Sequence, residues 1–255
     1  MKLLVISDFH GATDVLEPIK ERSRQLGVEA VLFCGDVVKG HARGDEWLAA
    51  RREGREPRRD LPEIDAEAAE DLAFYDAFYA SMGELWVPTY MVPGNMDAPF
   101  RRYAQAAEEA CDTYSQIRFA HQRLLPLGAE FALVGVGGEL TEAEREDFFV
   151  LVLPEWEARY MALAGREAAR PLILLTHTPP VGAKVDLDGA AHKGSVVVNR
   201  LIDMLAPSYL FCGHAHKAQA QEELAGTVIV NPGALKDGCC AFVDTALGRV
   251  ELMTL

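Results

Sequence analysis

The sequence predicts a layered α/β fold with mainly parallel strand pairing, and three observations carry this. Short, fully apolar runs recur along the chain, as in Leu3–Ile6, Ala30–Cys34 and Leu172–Leu175, and such runs suit strands covered on both faces. Helical periodicity fills the stretches between them, and strand–helix–strand order favours parallel pairing with helices laid on the sheet. Several of the apolar runs stop abruptly at polar residues flanked by glycine, as open α/β sheets do where they bind ligands.

Taken in order, Leu3–Ile6 is a buried strand that ends in Ser7-Asp8-Phe9-His10-Gly11. If the extended geometry persists, Asp8 and His10 stand on the same side, because side chains alternate along a strand. A helix runs from about Val15 to Gln25, closed by Gly27 as a C-cap. Ala30–Cys34 is the second strand and leads into Gly35-Asp36. Residues 39–63 are rich in Arg, Glu, Gly and Pro and read as an exposed insertion or lid. A helix from about Asp65 to Ser81 places Leu72, Tyr75, Phe78 and Tyr79 on a buried face. The third strand, about Val87–Val92, ends in Pro93-Gly94-Asn95-Met96-Asp97.

A helix around 100–110 and strands at Ile117–Phe119 and Phe131–Val136 follow, the last opening into the turn Gly137-Gly138-Glu139. Trp156 to Ala168 reads as helix, and Leu172–Thr176 as a strand ending at His177. Val181–Ser195 is a loop containing Asp186, Asp188, His192 and Lys193. A helix over Val196–Leu205 precedes a strand at Tyr209–Cys212, which ends in Gly213-His214-Ala215-His216. A strand at Thr227–Val230 ends in Asn231-Pro232-Gly233, and Cys239–Val243 with Val250–Met253 forms a closing hairpin. No repeat or composition break divides the chain, so residues 1–255 are expected to form a single domain carrying the charged insertion.

Bulk composition narrows the function. Apolar residues make up 49% of the 255, enough for a substantial core. A formal net charge of −14 argues against duplex nucleic acid or an anionic membrane as partner, since both favour a basic surface. It leaves room for a phosphate substrate, because metal ions supply local positive charge. No uninterrupted apolar stretch approaches the roughly 20 residues that span a bilayer. Five cysteines, an odd number and without a Cys-x-x-Cys pair, fit a reduced cytoplasmic location. A homodimer is the default oligomer on symmetry grounds alone.

The strand ends carry the chemistry. Asp8, His10, Asp36, Asn95, His177, His214 and His216 all follow apolar strands, so the fold gathers seven metal-capable side chains at one edge. Singly, each is a common polar residue after a strand; the set is not. Mixed oxygen and nitrogen donors suit manganese, iron, nickel, zinc or cobalt, and manganese is the metal expected. Seven ligands exceed the need of one ion, and two divalent ions sharing a carboxylate account for them. A two-ion site activates water and steadies the entering and leaving oxygens of an in-line displacement at phosphorus.

These ordered motifs resemble the calcineurin-like metallophosphoesterases from Asp8 to about Gly233, with Val92-Pro93-Gly94-Asn95 and Asn231-Pro232-Gly233 among the shared signatures. The resemblance implies a four-layer αββα sandwich of two mixed β-sheets flanked by helices. It implies one ion held by Asp8, His10, Asp36 and His216, and another by Asp36, Asn95, His177 and His214. It also implies a small phosphate ester as substrate, hydrolysed through a metal-bridging hydroxide. One departure matters: where the family carries Gly-Asn-His-Asp or Gly-Asn-His-Glu, this chain has Met96. A thioether cannot donate a proton to a leaving group, and general acid help is typically worth about 10²–10⁴-fold. Good leaving groups are therefore expected, with phosphodiesters ahead of alkyl monoesters.

Asp97, relieved of orienting that histidine, is expected to hold its loop. His192, on the loop between two metal motifs, is the candidate to contact substrate or replace the missing acid, and Asn95 is the other candidate substrate contact. The alternative to a phosphodiesterase is a catalytically weak member of the fold used as a binding scaffold.

Overall fold

The computed structural model describes residues 1–182 and 184–255. The first half of the chain runs β1 (Lys2–Ile6), α1 (Leu16–Leu26), β2 (Ala30–Phe33), α2 (His41–Glu53), α3 (Pro62–Gly83), β3 (Thr89–Met91), α4 (Phe100–Thr113) and β4 (Ile117–Phe119). The second continues with β5 (Leu124–Leu127), β6 (Phe131–Val136), β7 (Glu139–Thr141), β8 (Glu146–Asp147), β9 (Leu151–Pro154), α5 (Glu155–Ala162) and β10 (Leu172–Thr176). The short pair β11 (Leu187–Asp188) and β12 (Ala191–His192) precedes α6 (Val196–Leu205), β13 (Tyr209–Phe211), β14 (Ala220–Leu224), β15 (Thr227–Asn231), β16 (Cys239–Asp244) and β17 (Arg249–Thr254).

Two six-stranded sheets result, ordered β17-β16-β1-β2-β3-β4 and β14-β15-β13-β10-β6-β5. In the first, β1 to β4 are parallel, and the β16–β17 hairpin adds antiparallel to β1. In the second, β15, β13, β10 and β6 are parallel, with β14 and β5 as antiparallel edges. Both sheets are mixed.

Side-chain alternation turns the sheets into four layers. Leu3 and Val5 of β1 and Leu32 of β2 face Leu133, Ile173, Leu175 and Phe211 across the inter-sheet core. The alternate residues Leu4, Ile6 and Phe33 face outward onto Ile19 of α1, Phe78 of α3 and Tyr103 of α4. On the far side, Val134, Leu174 and Leu210 pack against Ala158 of α5 and Val197 and Leu201 of α6. The central strands β1, β2, β6 and β10 are covered on both faces, which is why these runs are apolar without interruption.

The insertion is largely exposed over residues 51–63, as its composition suggests, but its first part is ordered and partly buried. Residues 41–53 form α2, and its Arg43, Gly44, Glu46 and Ala50 are buried. Arg43, only 1% exposed, pairs through Nε with Glu67 and through Nη2 with Asp71 at 3.1 Å. Glu46 accepts hydrogen bonds from Arg55 and from the Arg58 backbone at 2.8 Å. Arg43 and Glu46 are thus internal partners rather than solvated charges, and Glu67 and Asp71 lie on α3, beyond the reach of a local pattern. Trp47 adds a ring contact to Phe149 at 5.8 Å.

Other boundaries shift modestly. α3 extends to Pro62–Gly83, with proline in its first turn, and the helix expected over 156–168 ends as α-helix at Ala162 and continues as a 3₁₀ turn. The expected loop 181–195 carries β11 and β12. Strands β7, β8 and β14 have too few apolar residues in period to announce themselves, whereas β5 (Leu124–Leu127) and β9 (Leu151–Pro154) are apolar runs outside the expected strands.

Candidate metal centre

β1, β2 and β3 of one sheet and β10 and β13 of the other deliver their carboxyl ends to one edge. Two contacts tie the sheets there: His177 Nδ1 donates to the Cys34 carbonyl at 2.8 Å, and the His214 backbone N–H donates to Asp8 Oδ2 at 3.2 Å. Asn231 fastens the site from beneath. Its amide donates to the carbonyls of Val185, Gly213 and Ala215 at 2.9–3.2 Å, and its Oδ1 accepts from Gly233 N–H. The Asn231-Pro232-Gly233 signature thus supports the loop that holds His214 and His216.

Extended geometry does not persist beyond β1. Asp8 and His10 have φ of 58° and 46°, and Asp36 and His214 have φ of 65° and 67°. Four of the seven candidate ligands therefore adopt a left-handed conformation that non-glycine residues avoid, and such strain concentrates at functional sites. Asp8 and His10 do converge, through two left-handed kinks rather than strand alternation. Glycines make room for the packed loops: a Cβ on Gly94 would lie 2.0 Å from Asp36 Oδ1, and one on Gly213 would lie 1.8 Å from Ser7 Oγ.

The seven side chains form two overlapping clusters. In the first, one donor atom each of Asp8, His10, Asp36 and His216 lies within 4.8 Å of the others. His10 Nε2 is 3.2 Å from His216 Nε2 and 3.5 Å from Asp36 Oδ2. In the second, Asn95 Oδ1 is 2.8 Å from His177 Nε2 and 2.9 Å from His214 Nδ1. Asp36 Oδ2 is also 3.5 Å from His177 Nε2, so one carboxylate oxygen faces both clusters.

Protonation fits cation binding. His10 Nδ1 donates to the Val38 carbonyl at 2.9 Å, and His177 Nδ1 donates to Cys34, so each neutral ring turns an unprotonated Nε2 inward. Burial pushes His10 down to about 4 and His214 to about 3, keeping both neutral at physiological pH. Burial, together with the charges of Asp8 and Asp97, drives Asp36 well above the usual carboxylate range. Asp8 Oδ1 is buried, and its polar neighbours are His216 Nε2 at 3.2 Å and His10 Nε2 at 3.8 Å. A buried carboxylate oxygen, inward imidazole nitrogens and an amide oxygen are the donor set a borderline divalent ion takes. His216 differs, because the Lys236 ammonium lies 3.1 Å from its Nδ1. An ammonium can only donate, so this ring keeps its proton on Nε2, facing Asp8 Oδ1 at 3.2 Å, and must yield it to bind a cation.

Asp97 is buried and points away from the cleft. Its carboxylate accepts from the backbone N–H groups of Gly94, Val37 and Asp36 at 2.7–3.0 Å and from the Tyr75 hydroxyl at 3.2 Å. It fixes the 36–37 and 94–95 loops against each other. Met96 lines the cleft, and its backbone N–H donates to Asp36 Oδ1 at 2.7 Å.

The cleft above the clusters encloses about 450 Å³ and is reached by His10, Asp36, Asn95, His214 and His216. His192 is not among its lining residues. Its side chain is 54% exposed, and its Nδ1 lies 3.0 Å from a carboxylate oxygen of the fully buried Asp186. His121 is structural, its Nδ1 accepting from Gly137 N–H at 3.0 Å. Reading the sequence missed Lys39, Lys193 and Lys236, which do line the cleft. The one signal for Lys236 was its place three residues after the Asn-Pro-Gly signature; Leu235 and Lys236 N–H groups donate to the Ser7 and Asp8 carbonyls.

Comparison with known proteins agrees with this geometry. Residues 1–255 match the family described as metallophosphoesterases of the calcineurin superfamily. A solved crystal structure is 33% identical with a TM-score of 0.92, covering 99% of this chain and 98% of its own. The crystal structure of TT1561 from Thermus thermophilus is 25% identical with a TM-score of 0.78, over 99% and 98% of the two chains. An uncharacterised protein of Methanocaldococcus jannaschii is 24% identical over 247 residues, 91% of this chain and 88% of the relative.

Proposed function

Because the chain belongs to the metallophosphoesterases of the calcineurin superfamily, we propose that this metal-dependent phosphoester hydrolase is a dinuclear phosphodiesterase. The observation that carries the proposal is the position of Asp36 Oδ2, 3.5 Å from both His10 Nε2 and His177 Nε2. Asp8, His10, Asp36 and His216 would hold one divalent ion, and Asp36, Asn95, His177 and His214 would hold the other, with manganese the favoured metal. Bound there, the pair supplies an activated water and charge stabilisation for in-line displacement at phosphorus.

The chain's own residues set the rest. Asp97 and Asn231 hold the ligand loops, and the left-handed kinks turn the donors toward one another. Asn95 can reach a phosphate oxygen from the second cluster. Met96 offers no proton, so esters whose leaving groups depart without protonation are favoured, which supports diesters and activated esters over alkyl monoesters. His192, steadied by Asp186, stands outside the cleft lining, whereas His41 is the histidine beyond the two clusters that lines it; His192 as substrate contact or acid is the assignment that the His192→Ala variant tests. Five unpaired cysteines are consistent with a reducing cytoplasm, and among the described residues no helix is long and apolar enough to cross a membrane.

The test is turnover of bis-p-nitrophenyl phosphate against p-nitrophenyl phosphate with Mn²⁺, in wild type, Asp36→Asn and His192→Ala. We expect the diester to be preferred, Asp36→Asn to be inactive, and His192→Ala to lose kcat. No turnover of either ester by a metal-loaded protein would transfer the weight to a scaffold. A His192→Ala protein with unaltered kcat and KM would remove that residue from the site.

A further inference from the structure

The cleft carries a charge pattern that the metal ligands do not require. Among the described residues, three of the chain's seven lysines, Lys39, Lys193 and Lys236, line it, and none of the eighteen arginines does. Among the described residues, none of the three ammonium groups is within ion-pair distance of a carboxylate. Lys39 instead lies 4.8 Å from the Phe74 ring centroid, and Lys236 lies against His216. They approach from three different segments: the loop after β2, the residue after β12, and the turn before β16. In a chain of formal charge −14, three unpaired ammonium groups around one cavity make a local reversal of sign.

Charge balance gives the reversal a consequence. The carboxylates in and immediately behind the cleft are Asp8, Asp36, Asp97 and Asp188, with Glu139 acting on Lys193, so five acids face the three lysines. Two divalent ions would then leave about two positive charges for the substrate to meet. A simple phosphodiester brings one negative charge. Stacking offers no alternative hold, because among the described residues the lining includes no Phe, Tyr or Trp, and Met96 is its sole large apolar side chain.

We propose that the cleft selects a small polyanion: a phosphate ester or anhydride that carries at least one further phosphate beyond the scissile one, held by Lys39 and Lys193. The inference rests on the phosphoesterase reading and narrows its substrate class. Lysine suits this role as a mobile point charge that follows a phosphate without demanding one bidentate geometry.

The test compares thymidine 5′-(p-nitrophenyl phosphate) with its 3′-phosphorylated analogue. The two share a scissile bond and a leaving group and differ by one phosphate. In the manganese-loaded protein we expect kcat/KM at least tenfold higher for the analogue, through KM, with the advantage shrinking as salt rises from 0.05 to 0.5 M. Lys39→Met/Lys193→Met should bring the ratio of the two substrates close to one. A wild-type ratio near one, or a ratio the double variant leaves intact, overturns the proposal. If neither ester is cleaved, the phosphoesterase reading fails on its own, and the calorimetric affinities of the same two molecules for wild type and variant still decide the lysine assignment by the same ratio.

Discussion

Removing Arg43 tests the account of the charged insertion. In Arg43→Met the stem stays buried and only the guanidinium disappears. Arg43 is 1% exposed, and its partners Glu67 and Asp71 are 8% and 2% exposed, so both carboxylates lose a desolvated counter-charge. Breaking one side of a buried ion pair typically costs about 3–5 kcal/mol. Two compensations point to the lower end. Arg102 stays on Asp71 at 2.6 Å, and Glu67 keeps the backbone N–H of Ala42. We therefore expect a loss of about 3 kcal/mol, a large part of the ~5–15 kcal/mol of a typical domain.

The assay is equilibrium urea unfolding at pH 7.5 with an unchanged m-value. The pH dependence has a defined sign. Burial holds Asp71 up to about 6 even with its arginines present, above its unfolded value of 3.8. The folded state therefore binds more protons in that window, and stability rises as pH falls through it. Losing Arg43 raises this pKa further, so the deficit should be smaller at pH 5 than at pH 7.5. A deficit below 1 kcal/mol at pH 7.5, or one that grows on acidification, would refute the buried-pair reasoning.

Three further outcomes are expected. Gly94→Ala should lower bound manganese, measured by elemental analysis after dialysis, because its Cβ would occupy space 2.0 Å from Asp36 Oδ1 and displace the shared carboxylate. Met96→His should raise p-nitrophenyl phosphate turnover less than tenfold, far below the ~10²–10⁴ of a working general acid, because Asp97 faces three backbone N–H groups and Tyr75 and is unavailable to orient the new ring. His121, which burial pushes down to about 3, takes up a proton on unfolding, so the metal-free protein should lose stability as pH falls below about 6.5. His121→Gln, which keeps an acceptor for Gly137, should flatten that slope by about one proton, or ~1.4 kcal/mol per pH unit in denaturant titrations.

Much of this protein was determined by sequence alone. Uninterrupted apolar runs identify strands covered on both faces, and their abrupt polar ends place Asp8, Asp36, Asn95, His177 and His214 at one sheet edge, because parallel strands share a carboxyl end. Met96 and the structural role of Asp97 are also legible, since both follow from what a side chain can donate or accept. Tertiary structure decided what depends on distant partners. The left-handed turns at Asp8 and His10 arise because their backbones bond to Gly35 and Asp36 of the neighbouring loop, which no local period encodes. The order in α2 depends on Glu67 and Asp71, more than twenty residues away, so Arg43 reads as solvated until those partners are known. The three cleft lysines come from three separate segments. A single lysine in a sequence is indistinguishable from surface; only the fold puts three around one cavity, where their charges add.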